Sequence, residues 1–202
     1  MTELILCTTN EHKRKELEWL LANAEGFAGK PPIRLRSLKD IGFTDEIEEN
    51  GFTFEENALI KAEAVFRRTG LPCIADDSGI CVDALGGAPG IDSAHYAGPQ
   101  RSDCENNEKL LEAMKDIPDD KRTARFVCAM AFIDNGGSFT VRGECEGLIL
   151  RSLTGNGGFG YDPLFYYPPL NESFGMIPPE IKNRHSHRAA AARLFLEKFY
   201  KI

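Results

Sequence analysis

The apolar positions of this chain change period repeatedly, and each change outlines an element. Leu4-Ile5-Leu6-Cys7 is a short unbroken apolar run, which predicts a buried strand over residues 3–8. From Asn10 the period becomes helical, with Leu17, Leu20, Leu21 and Ala24 on one face, Asn10 as N-cap and Gly26 as the stop. Ile33–Leu38 predicts a weaker strand. Thr53 and Glu56 form a capping-box pattern that opens a second helix. Its inward face is predicted as Leu59, Ala62 and Phe66, and it stops at Gly70-Leu71-Pro72. The apolar run Leu71–Ala75 then reads as a strand, with Ile80–Leu85 resuming as a strand beyond Asp76-Asp77-Ser78-Gly79. Ser102 and Glu105 repeat the capping box before a helix carrying Leu110, Leu111 and Met114, which ends before Pro118. Ala124–Asp134 and Ser138–Leu150 predict long antiparallel strands joined at Asn135-Gly136-Gly137. Ser186 caps a last helix with Ala192, Phe195 and Phe199 inward. This order mixes βα units with a hairpin and predicts an α/β fold, a mixed central sheet flanked by helices.

Composition narrows the class. With 202 residues, 42% of them hydrophobic, the chain can bury a core as one domain, residues 1–202, with room for two lobes. A net charge of -7 argues against a general nucleic-acid surface or an acidic membrane as partner. No charged n-region with an apolar h-region precedes the first strand, and no apolar stretch is long enough to span a bilayer. The six cysteines are scattered without a C-x-x-C pair. They are expected as reduced core thiols of a cytoplasmic protein, in neither disulfides nor a zinc site.

Candidate chemistry begins at Asp76-Asp77. Adjacent carboxylates repel and are costly to bury unpartnered. Alternation along an extended chain points them to opposite sides, so one can face a ligand while the other is held by donors. The dipeptide alone favours a simple turn of Asp, Ser and Gly. A divalent cation would relieve the charge, and oxygen ligands suit Mg²⁺. Four further elements bear on the choice. Thr8-Thr9-Asn10-Glu11-His12-Lys13 lies at a strand-to-helix turn, where backbone N–H groups, hydroxyls and an ammonium suit phosphate oxygens; read alone, it is a capped helix with an exposed lysine. Gly155-Asn156-Gly157-Gly158-Phe159-Gly160-Tyr161-Asp162-Pro163 concentrates glycine where backbone must approach a ligand, and offers the Phe159 face to a base; a flexible loop over a buried Phe159 is the equal alternative. Lys182 to Arg188 sets cations against the N-terminal dipole of the last helix, a local conflict with no structural gain, although on this segment alone a solvated basic turn is slightly the better reading. Asp45 to Asn50 is an acidic run, usually a solvated face, from which a carboxylate can join Asp77 at a metal.

Together, and in this order, these elements resemble the inosine triphosphate pyrophosphatase family, which removes non-standard purine nucleotides. The matching segments are Thr8–Lys13, Phe54-Glu55-Glu56-Asn57-Ala58, Ala75-Asp76-Asp77-Ser78-Gly79, Leu85-Gly86-Gly87-Ala88-Pro89-Gly90, Gly158-Phe159-Gly160-Tyr161-Asp162-Pro163 and Ser186-His187-Arg188. They span nearly the whole chain. Where family members often carry Gly before the lysine of the first segment, this chain has His12.

The resemblance implies Mg²⁺-dependent hydrolysis of ITP, dITP and XTP to the monophosphate and pyrophosphate. It implies an elongated, two-lobed homodimer subunit with the active site in the cleft between lobes. Asp77 would be general base and metal ligand, and Glu48 the second metal ligand, with Glu49 its close competitor. Thr8, Thr9, Asn10, Glu11, His12, Lys13 and Ser78 would hold phosphates. Phe159, Gly160, Tyr161 and Asp162 would wrap the base, and Lys182, His187 and Arg188 would contact base and phosphates. Other readings are a pyrophosphatase for modified pyrimidine or methylated nucleotides, a binding module without turnover, and a structural protein.

Overall fold

The start of the first helix is fixed by one side chain. In the computed structural model, which describes residues 2–201, β1 (Thr2–Leu6) leads through a short loop to α1 (Glu11–Asn23). The Asn10 Oδ1 between them accepts from the N–H groups of His12 and Lys13, satisfying donors that a helix start leaves open. Met1 and Ile202, the ends of the expected 1–202 domain, lie outside the described residues.

The chain continues through β2 (Ile33–Ser37), α2 (Phe54–Thr69), β3 (Cys73–Val82), α3 (Asp103–Ala113), β4 (Thr123–Asp134) and β5 (Gly137–Ile149). It closes with β6 (Phe165–Tyr167), β7 (Glu172–Ser173), α4 (Pro179–His185) and α5 (His187–Tyr200). The seven strands form one mixed sheet in the order β2-β1-β3-β4-β5-β6-β7, the expected α/β class. β1 pairs in parallel with both β2 and β3, while β6 pairs antiparallel with β5 and β7. β4 and β5 meet at Asn135-Gly136, the predicted hairpin turn. Thr53 Oγ1 and Ser102 Oγ cap α2 and α3 by accepting from Glu56 N–H and Glu105 N–H, as their sequence patterns predict.

Three expectations change. Asp76-Asp77-Ser78-Gly79 is not a turn: β3 runs unbroken from Cys73 to Val82, and the bend comes after it, at Asp83–Leu85. Cations from three helices let the carboxylates stay in an extended, buried strand. The inward face of α2 is Phe54, Asn57, Ala58, Lys61, Ala62 and Val65, turned from the predicted Leu59, Ala62 and Phe66. It turns because Asn57 and Lys61 are drawn to a buried carboxylate. The basic segment before Ser186 is the short helix α4, not a turn.

The chain divides into two compact units. The first comprises residues 1–77, 128–143 and 187–202, and its core includes Leu4, Leu6, Leu17, Ile74, Met130 and Phe195. The second comprises residues 78–127 and 144–186, with Ile80, Leu110, Met114, Phe126, Phe165 and Phe174 at its centre. All six cysteines are free thiols and four are buried, as their apolar settings predict. Among the described residues no helix is long and apolar enough to cross a membrane.

Arg122 fastens the second unit. Its side chain is 3% exposed, and its guanidinium donates to the carbonyls of Met114, Ile117, Ile149 and Leu150. It thereby serves orphan carbonyls at the end of α3 together with the last residues of β5. Burial depresses its pKa, yet the carbonyls suit a charged fork of donors. Arg122→Met should leave these carbonyls unsatisfied and cost about 3 kcal/mol or more. Urea unfolding of parent and variant measures this, and an unchanged midpoint would show the carbonyls have other partners.

Candidate functional site

In the first unit, the chain leaves β1 where the parallel crossovers diverge: β2 lies on one side of β1 and β3 on the other. Open α/β sheets bind ligands outside the carboxyl end of a strand at such a switch point. Residues Thr8 to Lys13 stand there. Thr8 Oγ1 accepts from Asn10 N–H at 3.2 Å, and Asn10 Oδ1 accepts from the N–H groups of His12 at 2.9 Å and Lys13 at 3.2 Å. Those two N–H groups are therefore engaged by the cap. Thr9, Glu11 and His12 are exposed, and Glu11 pairs with Arg14 at 2.9 Å.

Asp76 and Asp77 are 1% and 7% exposed and meet different partners, as alternation along a strand requires. Asp76 Oδ2 lies 3.3 Å from Lys13 Nζ and 3.5 Å from an Arg188 guanidinium nitrogen. Arg188, the N-terminal arginine of α5, also forms an ion pair with Glu16 of α1 and is 1% exposed. Burial opposes its charge, but Glu16 and Asp76 outweigh it and raise the pKa above the ordinary arginine value. His187 beside it is 4% exposed.

Asp77 faces α2. Its carboxylate accepts from Asn57 Nδ2 at 3.3 Å and from Lys61 Nζ at 3.5 Å, and the same ammonium donates to Glu49 Oε2 at 2.8 Å. Burial pushes the Asp77 carboxyl above the ordinary aspartate value, against the lowering fields of Lys61 and Lys13. For Lys61, burial disfavours the ammonium, yet Asp77, Asp76 and Glu49 prevail and raise its pKa. The pair therefore comprises a firmly charged lysine and a carboxylate that burial makes more basic than usual.

Lys61 and Asn57 carry no assigned role in the sequence, where Asn57 stands only within a matching segment, and Glu16 is not singled out at all. A trace of the first two is there: Asn57-Ala58 and Lys61-Ala62 repeat at i, i+4, a polar pair inside an apolar stripe. Of the acidic run, the structure joins Glu49 rather than Glu48 to the Asp77 cluster; Glu48 is exposed and makes no ion pair among the described residues. Asp77 and a glutamate offer oxygen donors only, the chemistry Mg²⁺ takes when one or two carboxylates and substrate phosphates complete its shell. That donor set fits the ion, although among the described residues no three His, Cys, Asp or Glu side chains gather into a self-sufficient metal cage.

In the second unit, Ser78 is half-buried on β3. The glycine-rich loop is organised by Asp162, 2% exposed, whose Oδ2 accepts from Phe159 N–H at 2.9 Å and from Lys182 Nζ at 2.6 Å. Gly158 has φ +73°, and a Cβ there would collide with the Asp162 carboxylate, so only glycine lets the two approach. Lys182, 3% exposed, places its ammonium 4.9 Å from the centre of the half-buried Phe159 ring, a cation–π distance. Tyr161 is a core residue: its ring is buried and its hydroxyl donates to Ser93 O at 2.8 Å. Burial raises its pKa, so it stays a phenol.

The chain is similar to known proteins along nearly its whole length. The model of the Ham1 family matches residues 4–198. The chain is 46% identical over 195 residues to the dITP/XTP pyrophosphatase of Geobacter sulfurreducens, spanning 96% of this chain and 94% of that protein. It is 42% identical over 203 residues to the dITP/XTP pyrophosphatase of Geobacillus kaustophilus, 100% of this chain and 96% of the other. Among solved structures it is similar to a HAM1 protein from Coxiella burnetii, with TM-score 0.87, 37% identity and 100% of both chains covered. The nucleoside-triphosphatase / dITP/XTP pyrophosphatase of Mycobacterium abscessus gives TM-score 0.76 and 38% identity, over 96% of this chain and 99% of that one.

The cluster around Lys61 makes a prediction about Asp77 itself. Lys61 is the foremost charge lowering the Asp77 pKa. In Lys61→Met the Asp77 carboxyl should titrate at still higher pH than in the parent. Carbon-detected NMR of the aspartate carboxyls measures it, and a fall on substitution would show that Lys61 does not set the Asp77 charge.

Proposed function

We propose that the chain, which belongs to the Ham1 family, hydrolyses non-standard purine nucleoside triphosphates (ITP, dITP and XTP) to the monophosphate and pyrophosphate. One observation carries the reading: a buried carboxylate made more basic by burial, Asp77, beside the Lys61 ammonium, in a chain whose relatives are named dITP/XTP pyrophosphatases. A carboxylate of raised pKa is suited to take a proton from water near neutral pH. Asp77 accepts and orients the attacking water, and Asn57 and Lys61 hold the carboxylate in place. Lys13 and the hydroxyls of Thr8 and Thr9 face the triphosphate, with Ser78 as a further phosphate contact. Mg²⁺, held by Asp77 and by Glu48 or Glu49, would neutralise charge on the triphosphate. Phe159 offers its face to the purine. The working form is proposed as a cytoplasmic homodimer, by the family resemblance, and sedimentation of the purified chain tests it.

Hypoxanthine and xanthine carry an acceptor at position 6, where adenine carries a donor. A guanidinium has donors only, so Arg188 would favour the former and leave two donors facing each other in the latter. Its neighbours Glu16 and Asp76 support a competing role, in which Arg188 holds Asp76 and through it Lys13. Arg188→Ala separates the two. If Arg188 reads the base, the ratio of kcat/KM for ITP over ATP narrows by roughly ten-fold, the size of one charge-assisted hydrogen bond. Equal losses on both substrates would assign it to the carboxylate network.

The function itself is tested by pyrophosphate release from ITP, XTP, dITP, GTP and ATP, with Mg²⁺ and after chelation. ITP, dITP and XTP should be turned over and ATP spared. Undiminished turnover after exhaustive chelation would remove the metal from the proposal. Asp77→Asn should lower kcat on the order of 10²-fold or more. It should not unfold the protein. An aspartate whose pKa lies higher in the folded than in the unfolded chain binds more protons when folded, so it detracts from stability once pH exceeds its unfolded value. The neutral amide removes that cost, and Lys61 keeps Glu49. A variant at parental kcat would take catalysis away from Asp77.

A further inference from the structure

Helix α3 carries two side chains with no place in the site described above, yet both reach across the sequence to the same peptide. Asp103 Oδ2 accepts from Gly160 N–H at 2.7 Å. Asn107, one turn further along and 5% exposed, donates from Nδ2 to Gly160 O at 2.9 Å and to Asp103 O at 2.8 Å. Both polar groups of Gly160 are thus held by one rigid element. An acid in the first turn of a helix ordinarily serves the helix dipole. Here its carboxylate is spent 57 residues away. Gly160 sits at φ +60°, a conformation that glycine adopts freely and equally freely leaves unless it is held.

What lies next to Gly160 gives the clamp a purpose. Phe159 precedes it, its N–H bound by Asp162, which also binds Lys182, whose ammonium stands under the Phe159 ring. A base-stacking ring on a glycine-rich loop gains affinity when the loop is ordered before the ligand arrives. We propose that Asp103 and Asn107 are positioning residues: they lock the Gly160 peptide and so hold the Phe159 face ready for a purine, an inference that rests on the nucleotide-hydrolase reading above.

The test uses Asn107→Leu, Asp103→Ala and Asp103→Asn in the full chain. Amide hydrogen exchange at Phe159 and Gly160 should quicken in the first two and recover in Asp103→Asn, which keeps an acceptor oxygen. KM for ITP should rise on the order of ten-fold in the first two variants, while kcat stays within about two-fold. Inorganic tripolyphosphate has phosphates and no base, and its inhibition constant should stay near the parental value. Unchanged exchange overturns the clamp. Equal weakening of ITP and tripolyphosphate, or a loss in kcat alone, overturns the positioning role, as does failure of Asp103→Asn to recover. If the parent releases no pyrophosphate from ITP, the functional reading falls and this role falls with it, an outcome recognisable in the parent alone.

Discussion

Two carboxylates on consecutive residues of a buried strand impose a requirement that much of the first unit meets. Asp76 and Asp77 meet different cations at close range, because a strand sends neighbouring side chains to opposite faces, although the field of Lys13 also reaches Asp77 and that of Asp76 reaches Lys61. Each face of β3 brings its own close cation. Lys13 from α1 and Arg188 from α5 reach Asp76, and Lys61 from α2 reaches Asp77. Removing one partner of a buried ion pair typically costs about 3–5 kcal/mol, since a charge is then left out of water unpaired. The approach of three helices to β3 is thus set by electrostatics as well as by the apolar contacts of Leu4, Leu17, Ile74 and Phe195.

The two aspartates sit in different surroundings. Asp76 has two basic groups at its carboxylate and a second acid, Glu16, beyond one of them. It belongs to a buried network that joins the loop after β1 to the start of α5. Asp77 has one lysine and one amide, and burial prevails over the lysine's attraction. On the proposed function, Asp77 would be the reactive carboxylate and Asp76 the one that holds this network together.

The second unit solves the opposite problem. Its glycine-rich loop needs backbone freedom to let Asp162 reach under Phe159, as the collision of any Cβ at Gly158 shows. Freedom of that kind costs entropy on ordering. The Lys182–Asp162 pair and the α3 contacts to Gly160 offset it, converting a flexible segment into a defined surface. Arg122, which ties the end of α3 to the end of β5, keeps the base of that arrangement in place.

Local devices were legible in the amino-acid sequence. The Asn10, Thr53 and Ser102 caps and the Asn135-Gly136 turn all hold, because each is satisfied within four residues of itself. The order of elements, and hence the α/β class with a mixed sheet, followed from the same local periodicities. The family was also legible, from short segments whose order along the chain is specific even though each alone is common. The tertiary structure alone decided that Asp76-Asp77 lies inside a strand, that α2 turns Asn57 and Lys61 inward, and that Glu49 rather than Glu48 meets Lys61. Those outcomes depend on pairings between distant residues, 16 apart for Lys61 with Asp77 and 112 apart for Arg188 with Asp76. Hydropathy patterns carry no information about such pairings: a lysine in an apolar stripe looks like an interruption until the carboxylate it neutralises is brought beside it.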